Sequence, residues 1–182
     1  MGDRTNLVLY PGAYNLVEDA ILNFKNVSSR VTADVDVTKG RKENGVIFSQ
    51  GGRFGGWSIY LEDGVPAYAY NYVGKLYTFK GKKPLKSGNA KIRVDVSYDG
   101  GGVGKGATVK LFVNNEQVGG GRLNKTVMAR FSIDEGADVG LDRGTQVTIR
   151  EIGDNRFSAF TGDINKVSLS IYPEKAKAVQ SH

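Results

Sequence analysis

The sequence contains no cysteine, and its one histidine, His182, is the last of its 182 residues. Without cysteine the chain can form neither a disulfide bond nor a thiolate metal site. Triads that use histidine as the base are excluded, because a terminal side chain cannot be held in a fixed position. A histidine zinc site is excluded for the same reason. The chain therefore lacks the groups of the common nucleophilic hydrolases and zinc proteins.

Long apolar runs are also absent, and none approaches the roughly 20 residues that a membrane-spanning helix needs. The first six residues have no apolar stretch of the signal-peptide type. A cytoplasmic location, and a periplasmic or extracellular one reached through an upstream segment, therefore both stay open. With 40% hydrophobic and 24% charged residues, the chain is expected to fold as one globular domain.

The sequence does not contain two catalytic motifs that its composition and fold class suggest. The glycine-rich segment 99–106 resembles a phosphate-binding loop, but that motif needs glycine where Asp99 stands and serine or threonine where Gly106 stands. We expect a tight loop here, between a strand that ends at Tyr98 and one that begins near Ala107. Jelly-roll glycosidases often carry carboxylates as Glu-x-Asp-x-x-Glu, and that pattern is absent too. The sequence therefore predicts a protein that is not an enzyme.

Apolar and polar residues alternate along most of the chain, for example at Val31, Ala33 and Val35 and again at Ile92 and Val94. Such a period of two places one face of each strand on a core. Turn signals separate the strands; they are Lys39-Gly40, Asp63-Gly64, Ser87-Gly88, Asn114-Asn115 and Gly119-Gly120-Gly121. The pattern predicts an all-β fold, an antiparallel two-sheet β-sandwich of the jelly-roll type, over residues 1–173. Helix is expected only from Val17 to Phe24 or in the polar tail 174–182.

The net charge of +6 and a pI of about 9.4 suit an anionic partner such as a sulfated glycan. The basic residues are scattered, and we expect neither a nucleic acid nor a membrane as partner. Their densest run, between Lys75 and Lys86, is typical of a solvated hairpin edge. Four acids fall within nine residues and could converge on calcium; they are Asp134, Glu135, Asp138 and Asp142. A solvated acidic loop is favoured, so no cofactor is predicted.

The segment from Gln50 to Tyr60 holds four glycines and the only tryptophan of the chain. Aromatic faces beside an arginine can stack on a ligand and pair with its anionic group. The candidate ligand-binding residues are Arg53, Trp57, Tyr68, Tyr70 and Tyr72. The alternatives are a core position for Trp57, tyrosine rings packed in the sheet interface with hydroxyls at the rim, and an Arg53 that anchors its own loop.

The chain resembles the carboxy-terminal β-sandwich of long bacterial arylsulfatases. The resemblance runs over nearly the whole chain, from residue 10 to about 171. The residues that carry it are Tyr10-Pro11-Gly12, Gly45-Val46-Ile47, the run from Gln50 to Tyr60, Tyr70-Asn71-Tyr72, Tyr98 to Gly102 with Gly104-Lys105-Gly106, Asp138-Val139-Gly140 with Asp142, Gly144-Thr145, Phe160-Thr161-Gly162 and Lys166-Val167. It implies a concanavalin A-like or laminin G-like jelly roll.

Sulfatase chemistry is not implied, because sulfatases of that type mature a Cys or Ser within a Cys/Ser-x-Pro-x-Arg motif. None of the prolines, Pro11, Pro66, Pro84 and Pro173, lies in that motif. We therefore expect a non-catalytic accessory module that binds carbohydrate, sulfated carbohydrate included. The alternative is a structural or oligomerisation module that docks onto a sulfatase catalytic domain or another copy. A third class, hydrolysis by carboxylates alone, finds no candidate pair in the sequence.

Overall fold

The computed structural model describes residues 4–148 and 158–173. In these residues eleven strands form two antiparallel sheets, and the one helical element is a single 3-10 turn, Glu18–Ala20. No helix in this part of the chain is long and apolar enough to cross a membrane. The predicted all-β, two-sheet architecture is confirmed.

The larger sheet has six strands in the order β1-β11-β2-β7-β8-β9. Every neighbouring pair is antiparallel. Its strands are β1 (Asn6–Leu9), β2 (Ser28–Val37), β7 (Gly88–Tyr98), β8 (Ala107–Val113), β9 (Glu116–Leu123) and β11 (Asp163–Tyr172). The segment 99–106 joins β7 to β8, as the sequence predicts.

The smaller sheet has five strands in the order β10-β3-β4-β5-β6, again all antiparallel. Its strands are β3 (Gly45–Gly52), β4 (Gly55–Glu62), β5 (Val65–Tyr72), β6 (Lys75–Lys80) and β10 (Ala137–Val139). The lysine-rich β6 is an edge strand, which agrees with the hairpin edge expected from its charge.

The core lies between the sheets and follows the predicted alternation. On β2, Val31, Ala33 and Val35 are buried, and they face the same interior as Ile92 and Val94 of β7. The central strands of the smaller sheet differ, because nearly all residues of β3, β4 and β5 are buried on both faces. Their second face carries a small cluster of Val46, Tyr60, Ala67, Ala69 and Val147.

Two details depart from the sequence-based expectations. The segment from Val17 to Phe24 forms only the 3-10 turn, and Gly119-Gly120-Gly121 lies inside β9 instead of in a turn. A side chain on two of these glycines would collide with the facing edge strand β6. A Cβ on Gly121 would lie 2.6 Å from a ring carbon of Phe79, and one on Gly119 would lie 2.6 Å from the carbonyl oxygen of Lys80. These glycines therefore let β9 approach β6. The tail 174–182 lies outside the described residues.

The strand directions divide the connections between two ends of the sandwich. At one end, called here the loop end, lie the segments 23–27, 53–54, 73–74, 99–106 and 124–136. At the opposite end lie 38–44, 63–64, 81–87 and 114–115. The loop end carries the longer connections, and long loops on a rigid scaffold are where proteins usually bind ligands.

Candidate functional site

Trp57 lies inside the sandwich near the loop end and is 3% exposed. Its ring lies 5.0 Å from those of Phe24 and Phe48 between centroids. The indole N–H donates a 2.8 Å hydrogen bond to the side-chain oxygen of Gln50. This is the core position that the sequence analysis gave as the alternative to ligand stacking, because the indole is buried among neighbouring rings.

The three alternating tyrosines of β5 share the inner face of the smaller sheet. Tyr68 and Tyr70 are buried, and Tyr72 is half-buried. The hydroxyl of Tyr70 accepts a 2.8 Å hydrogen bond from the backbone N–H of Val127, and burial raises the pKa of both Tyr68 and Tyr70. Tyr68 and Tyr70 thus have the packed arrangement, with one hydroxyl fastening a loop of the loop end. Ligand contact by the tyrosines stays a prediction.

Arg53 lies in the two-residue turn between β3 and β4 and is exposed. Its guanidinium carbon lies 5.2 Å from the ring centroid of Phe54, which is itself exposed. The backbone N–H of Arg53 donates to the hydroxyl of Thr145, so the turn is fastened through its backbone. Its guanidinium forms no ion pair with the other residues that the structure describes, and its binding role also stays a prediction.

A polar groove of about 360 Å³ opens at the loop end between the segments 23–27 and 99–102. Asn23, Lys25 and Asn26 line one side, and Tyr98 with the backbone of Gly100-Gly101-Gly102 lines the other. The side-chain amide of Asn23 and the open glycine backbone supply donors and acceptors for a polar ligand, whereas Asn26 and Tyr98 are hydrogen-bonded within the protein.

The groove walls are held by a hydrogen-bond network around Asn26 and Tyr98. The side-chain oxygen of Asn26 accepts from the backbone N–H of Gly104 at 2.7 Å, and its amide donates to the carbonyl of Met128 at 2.7 Å. The hydroxyl of Tyr98 accepts from the N–H of Lys105 at 2.9 Å. Asn26 therefore ties three loops together, and the groove is a built feature of the loop end.

A smaller cavity of about 30 Å³ lies beneath the groove, inside the sandwich. Trp57, Tyr68 and Tyr70 line it from the smaller sheet, and Val94 and Tyr98 line it from the larger one. Its volume is that of about one water molecule. Trp57, Tyr68 and Tyr70 thus line the cavity under the groove, and Asn26, Val27 and Tyr98 belong to both spaces.

Three of the four acids that could have met on calcium accept hydrogen bonds from backbone N–H groups instead. Glu135 accepts the backbone N–H of Thr145 at 2.7 Å, and Asp138 accepts those of Asn15 and Arg143. Asp142 accepts the N–H of Val147 at 2.7 Å. Among the described residues, no group of three or more metal-ligating side chains is placed to hold an ion.

Asp142 is the most perturbed of these acids. It is 1% exposed, and one of its carboxyl oxygens has no hydrogen-bond partner. Burial raises the pKa of Asp142 to about 8, and the nearby charge of Asp138 adds to the effect. The carboxyl is thus neutral at mildly acidic pH, which removes a charge from the cluster.

No family model matches the chain, and no curated protein matches it in sequence. Solved structures do match in shape. The CBM40 domain of a Ruminococcus gnavus sialidase, bound to α2,3-sialyllactose, superposes with a TM-score of 0.57 at 13% identity over 92% of this chain and 90% of that one. A mutant of the NanB sialidase from Streptococcus pneumoniae gives 0.58 at 15% identity over 83% of this chain.

Domains LG4-5 of the mouse laminin α1 chain give a TM-score of 0.51 at 10% identity over 92% of this chain and 39% of that one. The chain is a laminin-G-like, concanavalin-like jelly roll. It spans 22% of the NanB chain, so the similarity there concerns one part of a larger protein. At these identities the likeness establishes the fold.

Sequence reasoning missed Asn26 and Tyr98, which build the groove. In the sequence, Tyr98 is the end of a predicted strand and one of the residues that carry the resemblance, and Asn26 lies in a segment without a periodic pattern. Asn26 adopts a left-handed φ of 57°, which asparagine tolerates better than most residues, but the sequence does not show that this conformation is adopted.

Proposed function

We propose that this chain is a non-catalytic carbohydrate-binding module whose ligand occupies the groove between segments 23–27 and 99–102. The observation that carries the proposal is the polar lining of this preformed groove, with amides on one side and open glycine backbone on the other. Sugars present many hydroxyls, which such a lining can pair as both donor and acceptor. The sialyllactose bound to the similarly folded CBM40 domain supports the same ligand class.

An anionic sugar, sialylated or sulfated, is the preferred ligand within this class. Lys25 lines the groove, although it is paired with Glu18. Arg53, which forms no ion pair within residues 4–148 and 158–173, lies at the same end. The chain also carries a net charge of +6, which favours anionic partners in general. Arg53 and Tyr72 are retained as ligand contacts at the rim, with Trp57, Tyr68 and Tyr70 as the floor that supports them.

The test is calorimetric titration of the protein with 3′-sialyllactose, a sulfated disaccharide and neutral lactose at physiological salt, with and without calcium. We expect the anionic sugars to bind more tightly than lactose. Asn23→Phe should weaken binding by about tenfold or more, because the exposed Asn23 lines the groove and a ring there would fill it.

Lys82→Ala, at the opposite end, is the matched control and should bind like the parent. Absence of binding to every sugar would overturn the proposal. Loss of binding in Arg53→Ala together with full binding by Asn23→Phe would move the site from the groove to the β3–β4 turn.

The relation to arylsulfatases remains part of the proposal, and it rests on the resemblance of segments such as Gln50 to Tyr60. In the alternative function the chain docks onto a sulfatase catalytic domain or a second copy. That alternative predicts no glycan affinity and a stable complex by size-exclusion chromatography, so the same protein sample distinguishes the two.

A further inference from the structure

Exposed apolar side chains are concentrated at the loop end. Five of the large hydrophobic residues that are more than half exposed lie in its loops; they are Phe54, Val73, Val103, Met128 and Ile133. The loops of the opposite end contain none of the strongly exposed hydrophobic residues found in the described part of the chain. An uneven distribution of this kind marks an interaction surface better than single exposed residues do.

The contacts of the loops place these residues side by side. Gly55 pairs with Tyr72, so the turns that carry Phe54 and Val73 are neighbours. The segment 124–136 then crosses the end of the sandwich. A Cβ on Gly55 would lie 2.5 Å from the carbonyl oxygen of Phe131, and one on Gly104 would lie 2.5 Å from the side chain of Met128. The loops that carry the five apolar residues are therefore in contact with one another at this end, and the five residues are called here the belt.

Val73 is the residue of this belt whose exposure and backbone conformation are the most unusual for its residue type. It is 71% exposed and has a φ of 49°, in the left-handed region that a β-branched residue disfavours. The two-residue turns of the opposite end use the favoured residues, Asp63-Gly64 and Asn114-Asn115. Neither burial nor backbone preference therefore explains valine at this position.

Cations surround the belt. Five exposed basic residues of the loop-end loops and the strand ends beside them take part in no ion pair within the described residues; they are Arg53, Lys75, Lys105, Lys125 and Arg130. Most acids nearby are engaged, Glu18 by Lys25 and Asp99 by Arg122. Asp19, Asp134 and Glu135 are the nearby acids that take part in no ion pair within the described residues, against five such cations, so positive charge prevails.

We propose that the loop end docks on an anionic lipid surface, with Phe54, Val73 and Ile133 entering the headgroup region and the surrounding cations pairing with lipid phosphates and carboxylates. Protruding single side chains on loop tips suit insertion between lipids, where each buries its own apolar surface. The cations add attraction to an anionic leaflet. The proposal goes beyond glycan binding, and it departs from the sequence-based expectation of no membrane, which rested on basic residues that look scattered in sequence.

The test is co-sedimentation with vesicles of phosphatidylcholine alone and of phosphatidylcholine with phosphatidylserine, at physiological salt. We expect binding to the mixed vesicles that Phe54→Ser/Val73→Asn/Ile133→Ser weakens by at least about tenfold. Val73→Asn alone should weaken binding while leaving the melting temperature unchanged or raising it, because asparagine accepts the turn conformation. An unchanged or higher melting temperature would show that weaker vesicle binding comes from the lost valine contact and not from a folding defect.

Two matched variants decide between insertion and bulk electrostatics. Lys105→Gln/Arg130→Gln should lower binding, and Lys82→Gln/Lys83→Gln, with the same charge change at the opposite end, should not. Equal losses in both, or no loss in the apolar triple variant, would overturn the proposal. Failure of the protein to bind the mixed vesicles would also overturn it. The same holds if the protein binds heparin but no vesicles, or if it forms a dimer in solution that the triple variant dissociates.

Discussion

The two ends of the sandwich close the same core in different ways. At the opposite end, Asp63-Gly64 and Asn114-Asn115 join strands through two-residue turns, and the backbone of Gly45 packs directly on residue 159. At the loop end, the connections 99–106 and 124–136 are long, and the interior beneath them is filled by aromatic rings around a small cavity. Short turns and backbone contacts therefore cover the core at the opposite end, whereas aromatic side chains fill it at the loop end.

The loop end has more freedom to carry a binding site than the opposite end. A turn whose conformation is fixed by Gly, Asn or Asp has little surface left to vary. Loops that rest on a rigid aromatic floor can present a groove, exposed apolar tips and unpaired cations without weakening the sheets. The loop end therefore combines the groove proposed as the glycan site with the belt proposed to contact lipid.

Trp57→Ala gives the largest expected effect. The indole is buried among Phe24, Phe48 and Tyr68, and its removal leaves a cavity beneath the groove. We expect a loss of about 3–5 kcal/mol in the free energy of unfolding, measured by urea denaturation. A variant that kept its stability and lost only ligand binding would show that the ring acts as a binding face instead of a floor.

The second prediction concerns Asp142, whose pKa burial raises to about 8 in the folded protein. Between the ordinary carboxyl pKa and pH 8 the folded state holds a proton that the unfolded state has lost, so stability falls as pH rises through this window. From pH 5 to pH 8 the decrease due to this group is up to about 3 kcal/mol. Asp142→Asn should remove that part of the pH dependence.

The measurement is urea denaturation of parent and Asp142→Asn at both pH values, and the difference between the two proteins isolates this carboxyl from other titrating groups. Asparagine keeps an oxygen that can accept the N–H of Val147. Parallel pH profiles for the two proteins would mean that Asp142 ionises normally inside the fold.

Much of the fold could be predicted from the sequence, because burial on one face of a strand imposes a period of two. Val31, Ala33 and Val35 illustrate this. The second buried face of β3 to β5 could not be predicted, since Ser49, Ser58 and Asn71 read as solvent-facing residues and are buried. The site was harder still. Trp57 was recognised as important, but whether its ring faces a ligand or the core depends on contacts with residues distant in sequence.

The smallest expected effect compares two glycines of the opposite end that both have a left-handed φ. Gly45 has a φ of 99°, and a Cβ there would run into the carbonyl oxygen of Ala159. Gly40 has a φ of 79° and no atom within 4 Å of such a Cβ. We expect Gly45→Ala to lower the free energy of unfolding by about 1–3 kcal/mol more than Gly40→Ala does, because only Gly45→Ala adds a steric clash to the backbone strain. Thermal denaturation of both variants measures the difference. Equal losses of stability in the two variants would mean that the backbone at residue 159 shifts at little cost to make room for the added methyl group. The backbone packing at the opposite end would then be looser than its short turns indicate.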